Sequence, residues 1–229
     1  MSMQKIMHLL RMTDSTFPVG TFSFSNGLET ASYIGLVHDK DSLEQYTASA
    51  ARQAAFSDGV ACLMSHRAAL AGDYERIVGI DHEIMLFKMN DEARMMLSRM
   101  GKKLAELAVK LFPDDKLFPK WLEDIKAGKT PGSYPVAQGI AFAIAGVDEE
   151  DLFASHQYGV INMILSAALR CVRVSHYDTQ EILLRLSEKT DEYYNRAKTM
   201  TFNDMNAFVP EMDIMASMHE KGNMRMFMN

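Results

Sequence analysis

The chain has 229 residues, 48% of them hydrophobic and 24% charged, the composition of a folded globular protein rather than a disordered one. Lys and Arg total 24 against 30 Asp and Glu, a net charge of −6 with no dense basic block, which excludes the footprint of a nucleic-acid binder. No stretch approaches the roughly 20 apolar residues of a membrane span, and Met1–Arg11 lacks a signal-peptide core, so a soluble, cytoplasmic protein is expected.

The sequence holds 24 Ala, 20 Leu and 19 Met against 11 Val and 12 Ile. Unbranched side chains lose little rotamer freedom in a helix, and no alternating run of strand length appears, so the predicted class is all-α. In chain order, helices are predicted at about 3–11, 24–34, 41–57, 60–71, 73–88, 91–112, 117–127, 135–145, 148–174 and 178–199. Asp41 with Glu44 reads as a capping box, Pro135 suits a first turn, and Glu149, Glu150 and Asp151 suit the macrodipole of the long helix. The expectation is one domain over 1–204, a bundle of about eight to ten helices, with a Met-rich tail at 205–229.

Three short patterns imitate functional motifs. Gly128-Lys129-Thr130 resembles the end of a phosphate loop, but position 123 is Glu where the leading glycine is needed, and Pro131 breaks the following helix. Ser23-Phe24-Ser25-Asn26-Gly27 resembles a nucleophile elbow, but it lacks the first glycine and the preceding strand. Cys62 and His66 share a helical face at i and i+4 and form the one metal-site candidate, the basis of an alternative reading as a metal-dependent helical enzyme. Their bland reading is a buried thiol beside a surface histidine. His8, His38, His82, His156, His176 and His219 show no ligand spacing, and Cys62 and Cys171 are expected to stay reduced.

Two segments exceed what a plain bundle requires. In Phe17–Glu29, Pro18 and Gly20 fix a turn, Phe22 and Phe24 alternate with Ser23 and Ser25, and Ser25 or Asn26 can cap the helix carrying Glu29. That loop either wedges aromatics into the core or faces a partner. In the tail, seven methionines fall within 205–229, and Met212, Met215 and Met218 recur at helical spacing after Pro210. This stripe either packs on its own domain, docks a partner, or collects a soft metal. On the long helix, Ser155, Asn162, Ser166, Arg170 and Arg173 form a polar stripe that reads as an internal polar seam, a partner face or, by default, the solvent edge.

These residues carry a resemblance to the urease accessory protein F (UreF) family. Leu9-Leu10, Phe17-Pro18-Val19-Gly20, the aromatic-Ser alternation at 22–25 and Gly27-Leu28-Glu29 resemble its N-terminal signature. Pro135–Ala137 with Ala145–Asp148, Asn162 with Ser166–Arg170, Thr179-Gln180, Pro210–Asp213, Ser217–Glu220 and Arg225–Phe227 resemble its later blocks. Position 226 is Met where the family pattern has Leu.

The resemblance implies an all-α protein that is not an enzyme, a chaperone or scaffold with no cofactor of its own. It implies a complex with the accessory protein UreD/UreH and the GTPase UreG that acts on apo-urease, with nickel and GTP handled by that complex, and it implies homodimers. It places partner contacts in the N-terminal loop and the tail: Pro18, Gly20, Phe22, Ser23, Ser25, Gly27 and Glu29, with Asp213, Met215, Met218, His219, Glu220, Arg225 and Phe227. In the free chain the tail is expected to be mobile or packed on a neighbour, and ordered by UreD/UreH.

Overall fold

A computed structural model describes residues 2–205, 209–219 and 225–227. Among them there is no strand, and none of the helices is long and apolar enough to cross a membrane. The helices are α1 (Met3–Thr13), α2 (Leu28–Tyr33), α3 (Lys40–Ala55), α4 (Asp58–Ala71), α5 (Tyr74–Leu86), α6 (Asp91–Leu111), α7 (Leu117–Lys126), α8 (Tyr134–Ile144), α9 (Glu149–Cys171), α10 (His176–Ser187), α11 (Thr190–Ala197) and α12 (Pro210–His219). The all-α expectation is met, with slightly more helices than predicted.

The differences lie at helix ends and have local causes. α3 is capped by Asp39, whose carboxylate accepts from the Ser42 amide at 2.9 Å, so the capping box sits two residues before the predicted Asp41–Glu44 pair. The predicted helix from residue 24 begins only at Leu28, because Asn26 and Gly27 both adopt left-handed backbone angles and a 3-10 turn occupies 21–23. The predicted helix 178–199 is broken at 188–189. The break turns Tyr193 and Tyr194 onto Phe56 and Phe153, with ring centroids 5.4 and 5.7 Å apart.

Burial divides between two clusters. One gathers Phe118, Trp121, Val136, Ile140 and Phe142 with Val60, Leu63, Ile77 and Ile80. The second gathers Leu28, Leu43, Ile161, Ile164, Leu165 and Ile182 with Met212, Met215 and Phe227. α9 runs through both, contributing Leu152 and Phe153 to the first and its later turns to the second. α4 and α8 cross closely because Gly139 has no side chain: a Cβ there would stand 2.0 Å from Ser65 Oγ and 2.6 Å from the Cys62 carbonyl oxygen.

The tail departs from the expectation of a segment awaiting its partner. Residues 210–219 form α12, packed on α2 and α6 of the same chain, with Met212, Met215 and Ala216 buried. Met212 and Met215 of the methionine stripe join the second cluster, beside Leu28, Tyr46 and Ile161, whereas Met218 stays exposed.

Candidate partner-docking site

The N-terminal loop and the tail meet at one place, which backbone geometry prepares. The Asn26-Gly27 turn reverses the chain, and the Tyr46 hydroxyl donates to the Asn26 carbonyl at 2.7 Å. A Cβ on Gly27 would stand 3.3 Å from both the Ala216 amide nitrogen and the Met212 carbonyl oxygen. Glycine at 27 therefore serves two needs, a positive φ of 79° and the close approach of α12. Ser25 and Phe24 are buried beneath this turn, while Pro18, Gly20 and Phe22 are exposed and Ser23 is half-buried.

Glu29, in the first turn of α2, holds the tail directly. Its carboxylate accepts from the amides of Met226 at 2.7 Å and Phe227 at 3.1 Å, and lies 2.8 Å from His219 Nε2. Burial works against its charge, but the Met226 amide, His219 and the Phe227 amide outweigh it and hold the carboxyl below the usual range. On the other edge of the imidazole, His219 Nδ1 lies 2.9 Å from Glu92 Oε1, and Arg225 reaches the same oxygen at 3.5 Å. Each ring nitrogen of His219 thus faces one carboxylate, Glu29 through Nε2 and Glu92 through Nδ1. Glu92 is 3% exposed, a buried charge made tolerable by these partners. Asp213 accepts from the Asn90 side-chain amide at 2.7 Å, joining α12 to the cap of α6.

Arg170 fixes the third side. It lies 4.2 Å from the Phe22 ring and 3.9 Å from the Phe227 ring, and it donates to the Phe22 carbonyl at 3.1 Å. A planar guanidinium stacks on aromatic faces in this way, so one side chain of α9 clamps loop and tail together. Loop and tail expose four large apolar side chains, Phe22, Ile214, Met218 and Met226, by 69%, 52%, 47% and 58%, alongside the exposed polar residues Glu211, Ser217 and Arg225. Phe227 is buried, and Met215 and His219 face inward, so they hold the surface in place and are not part of it. Glu220 lies outside the described residues.

Of the predicted contact residues the structure brings together Phe22, Gly27, Glu29, Asp213, Met215, His219, Arg225 and Phe227, and leaves Pro18 and Gly20 on the approach to the loop. Sequence reading missed Glu92, which reads as an ordinary first-turn acid of α6, and Tyr46, whose hydroxyl gives no signal in one dimension. Arg170 was visible as part of a polar stripe, whose alternative reading as an internal seam fits better than the default solvent edge. Ser155, Asn162, Ser166 and Arg170 line a partly open cavity of about 150 Å³ between α9, the N-terminal loop and α12, and only Arg173 of that stripe is exposed.

The other candidates resolve into structure. The Cys62 thiol donates to the Pro135 carbonyl at 3.2 Å and lies 3.7 Å from His156 Nδ1, whereas His66 Nε2 bonds the Val147 carbonyl oxygen at 2.9 Å. The two predicted metal candidates thus face different partners, and burial pushes the Cys62 thiol well above its ordinary value. Among the described residues no three His, Cys, Asp or Glu side chains group as a metal site. Gly128-Lys129-Thr130 is occupied from within. The buried Asp81 carboxylate accepts from Thr130 Oγ1 at 2.5 Å and from the amides of Gly132 and Ser133 at 2.7 and 2.8 Å, just before α8.

The UreF family model matches residues 37–187. A urease accessory protein UreF 2 from Brucella canis is 48% identical over 228 residues, covering 100% of this chain and 93% of that protein. A urease accessory protein UreF 1 from Brucella melitensis is 47% identical over 228 residues. A urease accessory protein UreF from Yersinia pestis is 40% identical over 229 residues, the full length of both chains.

Proposed function

Since the chain belongs to the UreF family of urease accessory proteins, we propose that it is a non-enzymatic scaffold for urease maturation. It docks UreD/UreH on the surface made by the N-terminal loop and α12, and joins UreG in a complex that inserts nickel into apo-urease at the expense of GTP. Nickel and GTP belong to the partners and the cargo, so the scaffold supplies surfaces and no reacting group. The observation that carries this reading is the joined loop and tail, which fixes four exposed apolar side chains, Phe22, Ile214, Met218 and Met226, over a network of buried charges. Apolar anchors on a rigid base bind at low entropic cost, because the loop and helix are ordered before the partner arrives. The occupied Gly128–Thr130 segment is consistent with GTP chemistry residing in another chain.

A reconstituted assay tests this. Apo-urease, UreD/UreH, UreG, GTP and nickel are combined with and without the chain, and activation is expected only with it. The chain alone is expected to turn over no GTP. Activation without the chain, or GTP hydrolysis by the chain alone, would overturn the reading.

A further inference from the structure

The four apolar side chains of the docking surface differ in one chemical respect. Phe22 and Ile214 are inert to mild oxidants, whereas Met218 and Met226 carry thioethers. The fold sorts the tail methionines by exposure. Met212 and Met215 are buried in the second cluster, while Met218 on the next turn of α12 and Met226 face solvent. Both exposed residues are anchored at one point. The Met226 amide donates to Glu29 at 2.7 Å, and His219, next to Met218, meets the same carboxylate at 2.8 Å. The backbone is held there while the two sulfur-bearing side chains stay open to small reagents.

Oxidation of a thioether changes what such a side chain can bind. Peroxide transfers one oxygen: an S–O bond forms as the O–O bond breaks, sulfur loses two electrons, and the remaining oxygen leaves as water with both protons. The sulfoxide is polar, and its oxygen needs a hydrogen-bond donor when it is buried. Beneath a docked partner it would desolvate an acceptor where the thioether offers apolar contact. The bundle is spared, because Met218 and Met226 belong to neither core cluster.

We propose that Met218 and Met226 are sites of reversible oxidation by peroxide, and that their sulfoxides keep the free chain from docking UreD/UreH. A methionine sulfoxide reductase restores the surface, with two electrons from a dithiol and the oxygen released as water. The proposal rests on the docking reading above. It makes the free chain the sensitive state, since a docked partner covers both sulfurs.

Peroxide footprinting joined to affinity measurement tests it. The full chain is treated with hydrogen peroxide, then with catalase and a thiol that repairs cysteine but not methionine sulfoxide, and mapped by mass spectrometry. Met218 and Met226 are expected to gain oxygen before Met212 and Met215, and UreD/UreH bound beforehand should protect them. Affinity for UreD/UreH should fall at least about 10-fold with helicity and thermal midpoint unchanged, and the reductase should restore it. Each variant is read as the ratio of treated to untreated affinity, so any effect of the substitution itself divides out. Met218→Leu with Met226→Leu should hold that ratio near one. Met3→Leu with Met7→Leu, on α1 beside the Asp148 end of α9 and far from Arg170, should lose affinity on treatment as wild type does. Unchanged affinity with both sulfurs oxidised, an undiminished fall in the Met218 and Met226 leucine variant, or loss of helicity would overturn the proposal. The docking reading is judged on untreated chain. Full affinity in Ile214→Asp with Met218→Asp fails that reading and this proposal with it. A chain that depends on that face, yet docks equally well when oxidised, fails this proposal alone.

Discussion

Glu29 and His219 are 190 positions apart in sequence and 2.8 Å apart in space. This pairing ties α2 to α12, and it explains why loop and tail form one surface. Glu92 on the far side of the imidazole makes His219 the centre of the bond network.

Removing the imidazole should therefore detach the tail without unfolding the bundle. His219→Ala leaves the buried Glu92 without its imidazole partner, and losing a hydrogen-bond partner at a buried polar group costs about 1–3 kcal/mol or more. Hydrogen exchange should show α12 amides losing protection while α4 and α8 keep theirs. Uniform loss across all helices would contradict this.

Acid should loosen the same contact. Glu29 ionises more readily in the folded site than the ordinary value of 4.5, so its contribution is fully present above that value and is lost as pH falls through the lower, folded one. Opening of α12 should accelerate below about pH 4.5 in wild type, and Glu29→Gln should flatten that dependence. An unchanged profile in the variant would remove Glu29 from the account.

Gly27→Ala tests the backbone requirement. The left-handed φ disfavours a Cβ by about 1–2 kcal/mol, and the α12 backbone at 3.3 Å adds to the strain. A fall in thermal midpoint is expected, with α12 the most affected element. Gly20→Ala shares only the φ term, because nothing lies within 4 Å of its Cβ position, so it should cost less.

Much of this was legible in one dimension, and the omissions have physical reasons. Breakers and caps located most helices because Gly72, Asp73, Asn90, Gly128 and Pro135 act locally, through their own backbone. The break at 188–189 was not legible, since it is imposed by Phe56 and Phe153 receiving the two tyrosines. The loop and tail stood out as unusual, yet whether Met215 faced in or out depended on the floor supplied by α2, α3 and α9. Glu92 was hidden for the same reason. A first-turn acid is unremarkable until a histidine arrives from 127 residues away.

Asp81 offers a test of the occupied phosphate-loop look-alike. Asp81→Ala removes the acceptor of three bonds in a buried site, and charged hydrogen bonds of this kind contribute about 1.5–3 kcal/mol each before relaxation. A marked fall in thermal midpoint is expected, with no gain of GTP affinity by calorimetry. Tight one-to-one GTP binding by wild type or variant would show that the segment is a nucleotide site after all.

The central claim is that α12 docks UreD/UreH by its outer face and the bundle by its inner face. The most direct measurement compares UreD/UreH affinity for wild type, for Ile214→Asp with Met218→Asp, and for Met215→Asp, each checked for helicity and thermal midpoint. The exposed pair should lose at least about 100-fold in affinity with its melting unchanged, whereas Met215→Asp should lose affinity together with α12 protection, since it buries a charge. Full affinity in the doubly substituted Ile214 and Met218 variant would contradict the claim.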